Sequence, residues 1–396
     1  VFENLSANIV RAQHQKAEYP ALQQQLKFAL ENPLFYPAAN QWLFPGDSLA
    51  ILLQSNLVQA PKVLEAFLEY ISQLKIDSED IVVVISAQMA EQFGITAQQL
   101  EQSKSEVANG MPPSLIQVDV GDEKISFQVH DPANSYGLAY LAANEAGDPV
   151  HVNRLLVDAD VVVPLGCPTP GDQQRYDCLY PDFGSADRLA EFRTGSGSIA
   201  QRQQEIQLAN DNLGTFLAVE LVTEPGGEIA AVYAGARKDV FEQSKQLADE
   251  LWTVDYIPDQ QTVLATIEEQ GGVQSWDDFA DAVINAAQVS NGNGPIVVWT
   301  TIDQPADRKT RKALMAQFDD TISAKLSVAQ RSVASIISER PIFLKSKLSQ
   351  SQTEELGLGY IESEAEAEAI LAKFDSGILL RDAHRCRIDQ PQAASQ

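Results

Sequence analysis

Two short runs, Leu49–Leu53 and Ile81–Ile85, are apolar at every position. A strand with no polar face has to be covered on both sides, as strands of a parallel sheet are when helices flank them. Between the two runs lies Pro61–Lys75, whose Val63, Leu64, Phe67, Leu68, Ile71 and Leu74 fall on one helical face. Pro61 stands where a first-turn proline is tolerated. These three segments predict a strand–helix–strand unit with a right-handed crossover.

The alternation continues along the chain. Further strands are predicted at Val161–Leu165, Phe216–Val222, Ile229–Tyr233, Ile296–Thr300 and Ile342–Leu344. Further helices are predicted at Lys238–Leu251, Asp277–Gln288, Lys309–Gln330 and Ser363–Lys373. The fold class expected is α/β, in two domains with largely parallel sheets. A polar stretch containing Pro258, Trp252–Gln261, is the expected boundary. It gives an N-terminal domain over 1–255, a C-terminal domain over 256–386 and a frayed polar tail over 387–396.

Charge narrows the partners. The 396 residues carry 28 Lys and Arg against 55 Asp and Glu, a formal charge of −27. Such a surface repels phosphodiester backbones and anionic lipid, so neither nucleic acid nor a membrane is an expected partner. No apolar run approaches the roughly 18 residues of a membrane-spanning helix. Cys167, Cys178 and Cys386 make neither a disulfide framework nor a CxxC zinc knuckle. The cytoplasm is the expected compartment, with a small polar molecule as the expected partner, and the oligomeric state is not legible.

Several segments carry polar chemistry. Arg193-Thr-Gly-Ser-Gly-Ser198 leads into a helix-forming run and presents backbone N–H groups suited to an anion, but such loops are common in α/β proteins, which favours an ordinary serine-capped loop. Arg308-Lys-Thr-Arg-Lys312 is a basic island, suited to an anion but better matched to the many surface carboxylates. His130-Asp131 ends an apparent strand, Lys124–Val129, and alternation along a strand turns the two side chains apart, which favours structural roles. Val161–Leu165 ends at Gly166-Cys167, followed by Pro168 and Pro170. Ligands of open α/β sheets sit beyond the carboxyl ends of strands, so residues 166–184 form a candidate site wall. No His or Lys lies near Cys167 in sequence, which favours an inert buried thiol.

The block from Pro149 to Cys167 resembles the lactate racemases, a family that uses a nickel-pincer nucleotide. The matching elements are His130-Asp131, Gly147-Asp-Pro-Val150, Val152-Asn-Arg154 and Ala159-Asp160, followed by the apolar strand. Weaker likeness runs through Ser48–Gly94, Ala218–Gly235 and Gly271–Asp303. The resemblance implies two α/β domains with cofactor and substrate in a cleft between them.

The residues that make that family an enzyme are replaced here. Where the family has an Asp-Xaa-Thr-Arg-Pro turn after its first strand, this chain has Ser55-Asn-Leu-Val-Gln59. Where it has a Gly-Thr-His-Arg-type signature, this chain has Ile85-Ser-Ala-Gln-Met-Ala-Glu91. The segment after Gly166, which in the family carries a His and the cofactor-anchoring Lys, reads Cys167-Pro-Thr-Pro-Gly-Asp-Gln-Gln-Arg-Tyr-Asp-Cys178. The family's later Gln and Lys correspond to Asp281 and Ile284. Hydride transfer on a 2-hydroxy acid needs an acceptor, a base and a cation for the carboxylate. The expectation is therefore a lactate-racemase-like protein that does not racemise, with no catalytic residue and no metal site assigned and no cofactor expected. The nickel-pincer nucleotide would belong to it only if the family activity survives. Two alternatives are an active 2-hydroxy-acid racemase, epimerase or oxidoreductase, and a non-catalytic partner-binding paralogue.

Ligand contacts are expected from Ser55, Asn56, Gln59, Gln88, Cys167, Thr169 and Arg175, all near strand ends facing one sheet edge. They are mostly neutral, which predicts a polar ligand without strong charge. His130, Asp131 and Arg154 are expected to be structural, with Asp131 a candidate partner for the Arg154 guanidinium.

Overall fold

The computed structural model describes residues 2, 9–11, 18–108, 114–170, 179–195, 198–213, 215–268, 274–315 and 328–389. Its strands run in chain order β1 (Ile9–Arg11), β2 (Leu49–Leu53), β3 (Ile81–Ser86), β4 (Ile116–Val120), β5 (Glu123–His130), β6 (Leu138–Ala143), β7 (Pro149–Asn153), β8 (Val161–Gly166) and β9 (Thr215–Phe216). They continue with β10 (Ala218–Thr223), β11 (Ile229–Gly235), β12 (Thr253–Asp255), β13 (Thr262–Thr266), β14 (Ile296–Trp299), β15 (Ile342–Lys345), β16 (Gly359–Tyr360), β17 (Gly377–Leu380) and β18 (Arg387–Asp389).

Two larger sheets organise the fold, and both are mostly parallel. The first has the order β11-β10-β8-β2-β3-β5-β4, with β9 also on β8. Only its outer pairs, β10–β11 and β4–β5, are antiparallel. The second, β1-β17-β13-β14-β15-β16, is parallel throughout.

The all-apolar run Leu49–Leu53 is explained by its two faces. Leu49, Ile51 and Leu53 enter one core with Val63, Leu64 and Phe67 of helix α2, once α1 (Leu22–Glu31) and α2 (Ala60–Ser72) have covered that side. Ala50 and Leu52 point the other way, into a core with Val150, Val152, Tyr180, Phe183 and Ile206. The second sheet repeats the scheme: Val263 and Ala265 join one core, and Leu264 joins the opposite one. The period-2 alternation of a strand thus feeds two separate cores, each needing apolar side chains.

Among the differences between the expected and observed elements, β13 and β17 are absent from the expected strands, and four further differences bear on the fold. The run Phe216–Val222 is interrupted: β9 and β10 both pair with β8, and Leu217 between them donates to Val162 O at 3.3 Å. Of the helix expected over Lys309–Gln330, Arg308–Leu314 and Val328–Glu339 are helical and Met315 is a turn, while 316–327 lie outside the described residues. Within the expected N-terminal domain, β1 pairs with β17 of the second sheet, and Phe2 is buried beside Leu264 and Val297. Gly377 permits this approach, since a Cβ there would stand 2.7 Å from Cδ1 of Ile9. Finally, Arg387–Asp389 of the expected tail forms β18 and pairs in parallel with β12.

Candidate functional site

A cleft of about 220 Å³ lies where the carboxyl ends of β2 and β8 in the first sheet meet those of β13 and β17 in the second. Sheet topology thus converges four parallel strand ends on one recess. The first wall comes from Ser55, Asn56, Leu57, Val58, Pro168 and Thr169. The second comes from Ile267, Glu268, Gln274, Asp278, Asp281, Asp382, His384 and Arg385.

Hydrogen bonds to main chain set the shape of the first wall. Gln54 N donates to Leu165 O at 3.0 Å, and Leu57 N returns to Gln54 O at 3.0 Å. Asn56 Nδ2 donates to Cys167 O at 2.7 Å, tying the loop after β2 to the loop after β8. Gly166 lets the Gln54 amide lie against the main chain here, because a Cβ would sit 1.7 Å from Gln54 Oε1 and displace that side chain. The Cys167 side chain lies beneath this wall and is buried. Burial pushes its thiol pKa up, although Arg385 and the Val58 N–H both donate toward the sulfur. This is the environment of an inert thiol.

Charge is concentrated on the second wall. The Arg385 guanidinium stacks 4.8 Å from the centre of the Trp252 ring, at the end of a long helix (Arg237–Trp252). Trp252 is itself anchored by its Nε1, which donates to Thr223 O at 2.6 Å. Asp382 has a left-handed backbone at φ 45° and accepts the Glu268 N–H at 2.9 Å. Burial lifts its carboxyl to about 6, helped by the nearby Glu268 charge and opposed by the Glu268 and Gly226 N–H groups and Arg385. His384 is driven down to about 3, first by burial and then by Arg385. Burial also raises Asp278, which caps its own helix (Trp276–Gln288) by accepting from Ser275 N at 2.7 Å. Glu268 pairs with Arg381 at 3.6 Å. Gln274 spans the neighbouring loop, donating to Ile267 O at 2.9 Å and accepting from Thr301 N at 2.7 Å.

A turn between β10 and β11 bonds to Asp382 of the second wall and to Gln59, which adjoins the first. Gly226 and Gly227 hold φ of 113° and 86°, values suited to glycine. The Gly226 N–H donates to the Asp382 carboxylate. Gly227 O accepts from Gln59 Nε2 at 2.9 Å, and Gln59 is itself left-handed at φ 53°.

Of the residues expected to contact a ligand, Ser55, Asn56 and Thr169 line the cleft. Gln59 is drawn away to the turn, Gln88 is exposed beyond β3 and does not line the cleft, and Cys167 presents its backbone rather than its thiol. Arg175 lies outside the described residues. His130 is buried, with Nε2 3.0 Å from Gly184 O and Nδ1 3.1 Å from Asn153 Nδ2. The Asp131–Arg154 pairing does not form. Asp131 accepts from Ala133 N at 3.0 Å, while Arg154 donates to Tyr136 O at 3.2 Å and Leu138 O at 2.9 Å. Asp131 is occupied by its own turn, and two aligned carbonyls match the planar fork of Arg154.

The charged wall escaped the sequence reading. Its signal was present: Ile267-Glu268 follows the apolar run Val263–Ala265, and Arg381-Asp-Ala-His-Arg385 follows Ile378–Leu380. Charged residues directly after a short apolar run mark the carboxyl end of a buried strand.

No family model matches the sequence, and no curated protein matches it. Solved structures do. The lactate racemase apoprotein from Thermoanaerobacterium thermosaccharolyticum superposes with a TM-score of 0.64 at 14% identity, covering 97% of this chain and 95% of that one. A Thermotoga maritima protein solved as a structural-genomics target gives 0.63 at 12% identity, covering 93% and 97%. The chain has a lactate-racemase-like α/β fold over nearly its whole length.

Proposed function

We propose that this chain uses a lactate-racemase-like fold to bind a small polar molecule in the cleft between its two sheets, without racemising a 2-hydroxy acid. The observation that carries the reading is the cleft itself. Four parallel strand ends deliver hydroxyl, amide, carboxylate and imidazole groups to a recess of about 220 Å³. That is room for several waters or a small ligand.

A nickel-pincer nucleotide would supply a hydride acceptor. Holding it takes a lysine amine, soft or imidazole donors for nickel, and a cation for the substrate carboxylate. Among the described residues, no lysine lines the cleft. The nearby sulfur of Cys167 is buried and raised in pKa, and among the described residues a single imidazole, that of His384, lines the cleft. No group of three or more His, Cys, Asp or Glu among the described residues is arranged to hold a metal ion. These residues do not fit the group.

The test has two parts. Purified protein should not interconvert D- and L-lactate and should show an intact mass without a nucleotide increment. Thermal-shift screening of small polar molecules should yield ligands whose effect disappears in Ser55→Trp, which fills the cleft from its exposed rim. Racemase turnover, a nucleotide adduct, or ligands indifferent to Ser55→Trp would each overturn the reading.

A further inference from the structure

The charges around the cleft select among small polar ligands. Glu268, Asp278, Asp281 and Asp382 stand on the second wall, and Arg385 is the cationic side chain lining it among the described residues. Arg385 is already engaged, stacked on Trp252 and donating to Cys167. Arg381, just outside, is paired with Glu268. Four acids thus stand against the two guanidinium groups of Arg381 and Arg385, so a carboxylate entering here would meet an excess of acidic groups. The first wall offers no cation among its described residues.

A second, independent feature points to what is missing. His384 lines the cleft, and its Nδ1 is buried without a hydrogen-bond partner. Asn56, opposite on the first wall, has a buried Oδ1 in the same condition. Buried polar atoms without partners carry a desolvation cost; Asn56 Oδ1 can only accept, and His384 Nδ1 accepts in the tautomer protonated at Nε2, so a ligand bearing donors relieves that cost where side-chain rotation brings these atoms to the recess. Burial and Arg385 keep His384 neutral, so it adds no positive charge to the recess.

We infer that the cleft takes a small organic cation bearing hydrogen-bond donors, such as an amine or amino alcohol, rather than a carboxylate; this rests on the reading of the cleft as a ligand site. The recess concentrates the field of its acids, and the overall charge of −27 draws cations toward it. Without a metal-holding group among the described residues, the wall supplies charge and hydrogen bonds rather than coordination. An ammonium beside Asp382 also favours its ionised form, so binding near pH 6 should release a proton.

The experiment is calorimetric titration of the full chain with ethanolamine and 1,3-diaminopropane, against D- and L-lactate, near pH 6 in two buffers of different ionisation enthalpy. The amines should bind with proton release and lose affinity about tenfold in Asp281→Asn, through loss of a charge-assisted contact. Binding should vanish in Ser55→Trp and, independently, in Thr169→Trp. Lactate should give no heat of binding. Lactate binding that Ser55→Trp abolishes, with the amines silent, overturns this inference while leaving the cleft as a ligand site. Amines that bind both Trp variants unchanged, or neither amine binding wild type, also overturn it.

Discussion

The two walls of the cleft are built on opposite principles. The wall of the first sheet is neutral, and its polar groups hold main chain: Asn56 grips Cys167 O, and Gln54 is folded against Gly166. The wall of the second sheet is charged, and its groups hold one another, with Arg385 among Trp252, Asp278 and Asp382. Hydrogen bonds to backbone fix geometry at little electrostatic cost. A partly buried charge cluster is sensitive to every member, because removing one leaves another uncompensated. One wall therefore sets the shape of the recess and the other its electrical character.

The largest expected effect comes from removing the organising cation. Arg385→Met keeps a flexible apolar stem over Trp252 but strands Asp278 and Asp382, and should cost about 3 kcal/mol in urea unfolding. A loss no larger than that of a surface arginine would erase the contrast between the walls. Next comes Gly166→Ala on the neutral wall. Its Cβ would drive into Gln54 Oε1 and should cost about 2 kcal/mol by overpacking, without changing the pH dependence of stability.

The third expectation is a pH effect confined to the charged wall. Burial holds the Asp382 carboxyl at about 6, above the roughly 3.9 of an unfolded chain. Between those values the folded protein keeps a proton that the unfolded chain has released. The stability this group contributes is complete below about pH 4 and is lost as pH rises through 6. Asp382→Asn keeps an acceptor for the Glu268 N–H and removes the titration. Relative to wild type it should gain about 2 kcal/mol between about pH 4.5 and about pH 7.5, measured by urea unfolding at both. A parallel pH dependence in wild type and variant would place the Asp382 charge outside the cluster.

The smallest effect calibrates the rest. Arg154 is exposed and donates to two carbonyls, so Arg154→Ala should cost about 1 kcal/mol or less and leave ligand binding unchanged. A larger loss would give it the role of a buried ion pair that its partners do not describe.

The sequence made the first wall easier to find than the second for a physical reason. β2, β3 and β8 are apolar along five or six consecutive positions, and their ends could be placed to within a residue, which led to Ser55, Asn56 and Thr169. β13 and β17 have the same buried pattern, but begin with Thr262 and Gly377 and leave only three strongly apolar residues each. Runs that short are weak signals: the equally short Ile342–Leu344 reads as a strand, while these two, opened by Thr and Gly, do not. Register across the chain was less legible still. The pairing of β1 with β17 joins residues more than 360 positions apart, and nothing local to Ile9–Arg11 names that partner. The neutral character expected for the site followed from seeing one wall alone.

The turn between β10 and β11 has a mechanical consequence. It reaches Asp382 through Gly226 and Gln59 through Gly227, and so works as a spacer bar between the two halves. Its length is pinned by Glu224 N on Glu228 O at 3.0 Å and by two glycines whose backbone angles favour no side chain. Five residues that do not line the recess thus tie Asp382 of one wall to Gln59, which adjoins the other. A lengthened or stiffened turn would retune the mouth for a ligand of another size while every lining side chain stayed the same.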